Sequence, residues 1–142
     1  VYRYEEIAGG SIKKYYVSDT LNGSQSTRFT FSGTDRTSAL ITINAAGSWT
    51  ASNTATNHPA GIFISRVMAN SSGDTADSGT VVTPFAYQYS TGSYTFTNSG
   101  SFVYTIDIAN PTGDDGVGFF YEVTVQSAAS ASQHALTASS TV

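Results

Sequence analysis

Four carboxylates stand in the two loops best suited to hold a cation. Asp74 and Asp77 lie in N-S-S-G-D-T-A-D-S-G, and Asp114 and Asp115 in P-T-G-D-D-G. Oxygen-rich loops bent by glycine suit calcium, which takes about six to eight oxygen ligands. Neither loop has the spacing of an EF-hand, and Asp beside Gly also makes ordinary solvated turns, so calcium is one reading of these loops and a plain turn the other. Nucleophilic chemistry has less to work with. The chain has no Cys and no G-x-S-x-G elbow. Of its two histidines, His58 precedes Pro59 and His134 stands in an Ala/Ser-rich tail, neither with the companion spacing of a zinc site. The expectation is a protein that is not an enzyme, in which His58 and His134 can both be replaced by Ala without loss of fold or function.

Contact chemistry is better represented. Nine Tyr and eight Phe bring the aromatic share to 13%, more than one core face can absorb. Alternation places Phe120 on the opposite side of its strand from Phe119 and Tyr121, and Tyr15 and Tyr16 on opposite faces of theirs. Tyr87 and Tyr89 stand in F-A-Y-Q-Y-S. Tyr15, Tyr87, Tyr89 and Phe120 are therefore the expected contact rings, serving a sugar, a protein or a neighbouring subunit equally well. Trp49, the single Trp, sits in a polar stretch where it either caps the core or meets a ligand. N-x-S/T sequons at Asn22 and Asn70 fall in expected loops and are candidate glycosylation sites.

The elements that must position these residues are strands. F-V-Y-T-I-D-I-A and F-F-Y-E-V-T-V-Q alternate apolar and polar residues around the turn Asn110-Pro-Thr-Gly-Asp-Asp-Gly-Val-Gly118 and read as a hairpin with one buried face. Further runs cover Lys13–Leu21, Arg28–Phe31, Ala39–Asn44, Ile62–Ala69, Thr80–Pro84 and Ser93–Thr97, with loops at Ala45–Gly61 and Asn70–Gly79. About eight short strands with Gly and Asn between them, and no window of helical period, predict an all-β, antiparallel, jelly-roll-like sandwich over residues 1–126. Its core should include Phe29, Phe31, Ile41, Ile43, Ile106, Ile108, Val123 and Val125. Residues 127–142 form a polar tail with only Leu136 and Val142 to bury. Ordering it should require a neighbouring subunit, whose sheet edge it would join by strand addition. On that reading, deleting the tail leaves a folded monomer that no longer assembles.

Composition narrows the setting. The 142 residues make one domain with a sizeable core. Charged residues are 11% and the net charge is −4, so solubility rests on hydroxyls and amides. The six Lys and Arg are scattered and form no basic stripe, which argues against nucleic acid as a partner. No apolar run is long enough to span a bilayer. Sparse Lys with abundant Ser, Thr, Gly, Asn and Tyr suggests an extracellular or cell-surface protein, and the start at Val1 without Met is that of a mature product.

The segment Asp19–Phe31, which contains Leu21-Asn-Gly-Ser24 and Phe29-Thr-Phe31, resembles the bacterial pre-peptidase C-terminal domains. So do the later runs Ala39–Ile43, Gly61–Arg66 and Ser101-Phe-Val-Tyr-Thr-Ile106. These motifs are also similar to the collagen-binding domains of secreted collagenases. The resemblance covers residues 15–126 and implies a jelly-roll-like sandwich with an accessory, non-catalytic role outside the cell. In place of the acidic segment that supplies calcium ligands in that family stands Tyr4-Glu-Glu6-Ile. Two functions follow as expectations. The first is an extracellular subunit that self-assembles into a filament, sheath or surface layer, a homo-oligomer built by strand addition. The other is a secreted module that binds polysaccharide or an extracellular protein; no cofactor is expected, calcium in the loops being the one alternative.

Overall fold

The computed structural model of the chain describes residues 2–7, 11–49, 58–82, 89–90, 93–111, 115–127 and 133–142. Among these residues there is no helix. The strands are β1 (Tyr2–Ile7), β2 (Ile12–Leu21), β3 (Ser26–Ser32), β4 (Ser38–Trp49), β5 (His58–Ala69), β6 (Thr75–Val82), β7 (Tyr89–Ser90), β8 (Tyr94–Gly100), β9 (Val103–Ala109), β10 (Val117–Ser127) and β11 (Ala135–Thr141). One sheet runs β1-β2-β10-β4-β5-β6, with β7 pairing in parallel beside the start of β5. The other runs β11-β3-β9-β8. Every pairing other than that of β7 is antiparallel, so the domain is an all-β sandwich. Strand pair β2–β3 crosses from one sheet to the other, and β9–β10 crosses back beside it, with β10 on β2 and β9 on β3. That wrapped double hairpin is the jelly-roll element. From β4 onward the chain meanders within one sheet through β5 and β6 instead of crossing again.

Alternation decides which residues go inside. Every second residue of β10, from Val117 through Phe119, Tyr121 and Val123 to Val125, is buried, and Tyr15, Val17 and Leu21 of β2 and Ile41 and Ile43 of β4 lie on the same inner face. Phe29, Phe31, Tyr104, Ile106 and Ile108 face them from the smaller sheet. All eight core residues expected from sequence are within 2% of complete burial. The rings interlock across the gap: Phe29 meets Tyr121 edge-on at 5.1 Å, while Phe31 and Phe96 stack on Tyr104 at 5.3 and 5.4 Å.

Several expectations change. The runs before and after Asn110 are strands with the expected inner faces, yet they are not a hairpin: β9 bonds to β3 and β8, β10 to β2 and β4. The link between them carries the chain from one sheet to the other. It is pinned to the β2–β3 turn, where Asn110 Nδ2 donates to Gly23 O at 3.0 Å and Gly116 N to Asn22 Oδ1 at 2.7 Å. β4 and β5 run into the expected loop Ala45–Gly61 from both ends, and β6 starts at Thr75 rather than Thr80. β1 was not expected at all. Residues 135–141 form β11 on the edge of the chain's own β3, so in this structure the tail joins its own sheet. Residues 112–114 and 128–132 lie outside the described residues.

The β8–β9 connection is a two-residue turn in which both Ser101 and Phe102 have positive φ, 53° and 64°, the conformation for which Asn-Gly is preferred. It is held by two neighbouring turns: Phe102 N donates to Gly73 O at 2.8 Å, and Phe102 O accepts from Gly33 N at 2.7 Å. Gly73 has φ 86°, and a Cβ there would lie 3.0 Å from the Ser101 backbone. Both strain and contact oppose a side chain, so Gly73→Ala should cost about 1–3 kcal/mol, read as a lower urea midpoint at an unchanged slope.

Candidate functional site

The outer face of the larger sheet carries an aromatic pair over a groove. Outward positions of β2, β10 and β4 fall into register as Thr20–Gly118–Ser48, Ser18–Phe120–Ala46 and Tyr16–Glu122–Asn44. Tyr16 and Phe120 are thus diagonal neighbours on adjacent strands, within reach of one another. Their ring centroids are 6.2 Å apart and their planes 22° from parallel. Phe120 remains 52% exposed, forgoing much of the roughly 1.5–3 kcal/mol that burying such a ring yields. Beside the pair, Ser18, Asp19, Thr20, Ala46, Gly47, Ser48 and Gly118 line a shallow groove of about 600 Å³. Small residues at Ala46, Gly47 and Gly118 keep its floor low, and hydroxyls form its rim. Along the same sheet, Leu40, Arg66 and Met68 border a second groove of about 640 Å³, which has no aromatic wall.

Asp19 is fixed by what it binds. Its Oδ1 accepts from Thr20 N at 2.9 Å and from Thr141 Oγ1 at 2.7 Å, and its Oδ2 accepts from Thr27 Oγ1 at 2.7 Å. With the Thr27 proton committed to Asp19, the Tyr121 hydroxyl donates to Thr27 Oγ1 at 2.8 Å. Burial raises the pKa of that phenol, so it stays a donor. A relay from Tyr121 through Thr27 thus ends on the Asp19 carboxylate, which has the inward parity of Val17 and Leu21 and ties β2 to β3 and, through Thr141, to β11. A carboxylate has about four acceptor positions, and three are taken.

Charge around the groove is compensated or negative. No Lys or Arg lines it among the described residues, and Lys14 lies 4.0 Å from Glu122. On the opposite side of the molecule, Arg28 forks onto Asp107 with two bonds of 2.8 Å, pinning β3 to β9.

Of the expected contact residues, Phe120 is outward as anticipated, whereas Tyr15 is 3% exposed in the core and Tyr16 takes the outer face. Leu136 is also a core residue, 4% exposed, and Val142 is exposed beside Ser26 with mutual backbone bonds. The Tyr87 residue and the Tyr89 side chain lie outside the described residues, as do those of Trp49 and His58. His134, expected from sequence to be replaceable, is fully buried between Tyr104 and Thr37. The acidic loops are not brought to one place. Asp77 accepts from Ser65 Oγ, Asp74 from Asn98 Nδ2, and Asp115 sits near Gly23, while Asp114 lies outside the described residues. No group of three potential metal-ligating side chains assembles among the described residues. Asn22 and Asn70 are exposed, and each side-chain oxygen already accepts backbone N–H groups. Sequence reasoning missed Tyr16. For Tyr16 a signal existed, since Val17 and Leu21 share the parity of Tyr15 and mark it as inward.

No family model matches the chain, and no curated protein does. Among solved structures, the chain is similar to tailspike protein gp49 of the Acinetobacter baumannii bacteriophage Fri1, a capsular polysaccharide depolymerase, with 14% identity and a TM-score of 0.48. The match covers 96% of this chain and 21% of that one, so the chain spans about a fifth of the tailspike's length. No helix of the described residues is long and apolar enough to cross a membrane.

Proposed function

We propose that this domain is a non-catalytic, extracellular binding module that holds polysaccharide on the outer face of its larger sheet. The observation that carries the reading is the Tyr16–Phe120 pair, left open to solvent beside a hydroxyl-lined groove. Sugar rings present apolar C–H faces and hydroxyl edges; an aromatic surface takes the first and a rim of Ser and Thr the second. Among the described residues no pair of carboxylates faces the groove, whereas glycoside hydrolysis employs one. The resemblance to pre-peptidase C-terminal domains and the hydroxyl-rich, Lys-poor composition agree with an accessory role outside the cell. Self-assembly by tail exchange has less support, because β11 occupies the chain's own sheet edge.

The test is Phe120→Ala. Its ring is half exposed and its loss, including the contact with Tyr16, should cost about 1 kcal/mol, while retention on polysaccharide in native affinity electrophoresis should be lost. Unchanged retention of a folded Phe120→Ala protein would remove the site.

A further inference from the structure

Resting on that reading, we infer that the polysaccharide held in this groove is uncharged. Three features of the site select against ionic polymers. First, an anionic chain bearing carboxylate or sulfate groups needs cations along its path, and none lines the groove among the described residues. The nearest outward lysine, two register rows away on β2, is Lys14, which already faces Glu122. Second, a cationic polymer needs a carboxylate with free charge. Asp19 instead has the inward parity of Val17 and Leu21, with its carboxylate bonded to Thr27 and Thr141 of the smaller sheet, and Glu122 faces Lys14. Third, what is left unspent is suited to hydroxyls. The Ser18, Thr20 and Ser48 hydroxyls can each donate or accept. A neutral sugar chain matches this inventory: one ring face on Phe120, and hydroxyls exchanged with Ser18, Thr20 and Ser48. The floor at Gly118 sets the depth available. Its φ is not in the left-handed region, and a Cβ there would meet only Ser48, at 3.7 Å. A larger residue would therefore be tolerated by the fold but would occupy the groove.

The experiment titrates the full chain with soluble neutral polysaccharides (β-glucan, galactomannan, xyloglucan), anionic ones (alginate, hyaluronan) and a cationic one (chitosan), at low and high NaCl. The expected result is binding to a neutral polymer whose affinity changes less than about twofold between 0.1 and 1 M salt, over which the Debye length falls from about 10 to 3 Å. Gly118→Val, placed in a strand where a β-branched residue is at home, should weaken that binding about tenfold or more while leaving the melting transition in place. Preferential binding of alginate, hyaluronan or chitosan, abolished by salt, would overturn the neutral assignment and leave the binding module standing. Neutral binding unaffected by Gly118→Val in a folded protein would also overturn it, because the groove would not be the site. Binding to none of the three classes would instead overturn the polysaccharide reading itself.

Discussion

Deleting residues 133–142 should leave a chain that no longer folds. β11 lies antiparallel on β3, with Leu136 opposite Phe31 and Ser139 opposite Phe29, and its end is closed by reciprocal bonds between Ser26 and Val142 at 2.8 and 2.9 Å. Its removal takes Leu136 out of the core, a loss of about 1.5–3 kcal/mol. It also strips the Tyr104 hydroxyl, fully buried, of its bond to His134, a further penalty of about 1–3 kcal/mol for an unmet polar group. The whole ladder along β3 goes with them, and a domain has only about 5–15 kcal/mol to lose. The measurement is a circular dichroism melt of the truncated chain, in which no cooperative transition is expected. A truncated protein melting near the full-length temperature would show that the four-stranded sheet does not need its edge.

That outcome reverses what the tail's composition suggests, and the reason is local. A sequence such as A-L-T-A-S-S-T offers one large apolar residue and no alternation, because the ladder slips between Leu136 and Ala138. The bulge leaves Thr137 as the extra residue, its Oγ1 bonded to Thr30 O at 3.1 Å, and a bulge erases the period of two on which strand recognition depends. The core, by contrast, could be read directly. In β9 and β10 alternation identifies Tyr104, Ile106, Ile108, Tyr121, Val123 and Val125 as inward, and all are buried. Period reports which face is wet, however, and not which strand is bonded. The loop after Asn110 suits a hairpin and a crossover equally, and only the packing of β10 between β2 and β4 decides it.

The candidate site was legible in part for the same reason. Phe120 breaks the inward parity of its strand, which marks it as a ring facing solvent. Tyr16 could have been placed from Val17 and Leu21, but two adjacent tyrosines hide the parity between them. Asp19 gave no signal, since its role rests on Thr27 and Thr141, 8 and 122 residues away in sequence. Phe120 and Tyr16 come together only because β10 is inserted beside β2, a pairing that no local pattern encodes.

Replacing His134 should be among the most damaging single changes in the chain, and acid should reproduce part of the damage. Thr37 Oγ1 donates to Thr34 O at 2.6 Å, so it can only accept from His134, whose Nε2–H points to it at 2.9 Å. Nδ1 is then bare and accepts the Tyr104 hydroxyl at 2.8 Å. The ring is neutral, buried, and packed so closely that a Cβ on Gly33 would lie 2.8 Å from it. His134→Ala empties this space and leaves Tyr104 and Thr37 without their partner. A loss of about 3 kcal/mol or more is expected, by cavity and unmet hydrogen bonds together. Burial, with Lys13 adding to it, lowers the pKa of His134 in the folded protein. The unfolded chain, with an ordinary histidine near 6.5, then takes up the proton first as pH falls. The stabilising contribution of the neutral ring is complete above about pH 6.5. Below that it declines by up to roughly 1.4 kcal/mol per pH unit, until the folded-state pKa is reached. His134→Gln isolates this effect, because an amide can accept from Tyr104 and donate to Thr37 without titrating. Between pH 7 and 5 the wild type should lose more urea resistance than His134→Gln; equal losses in the two proteins would place the acid sensitivity elsewhere, in the carboxylates.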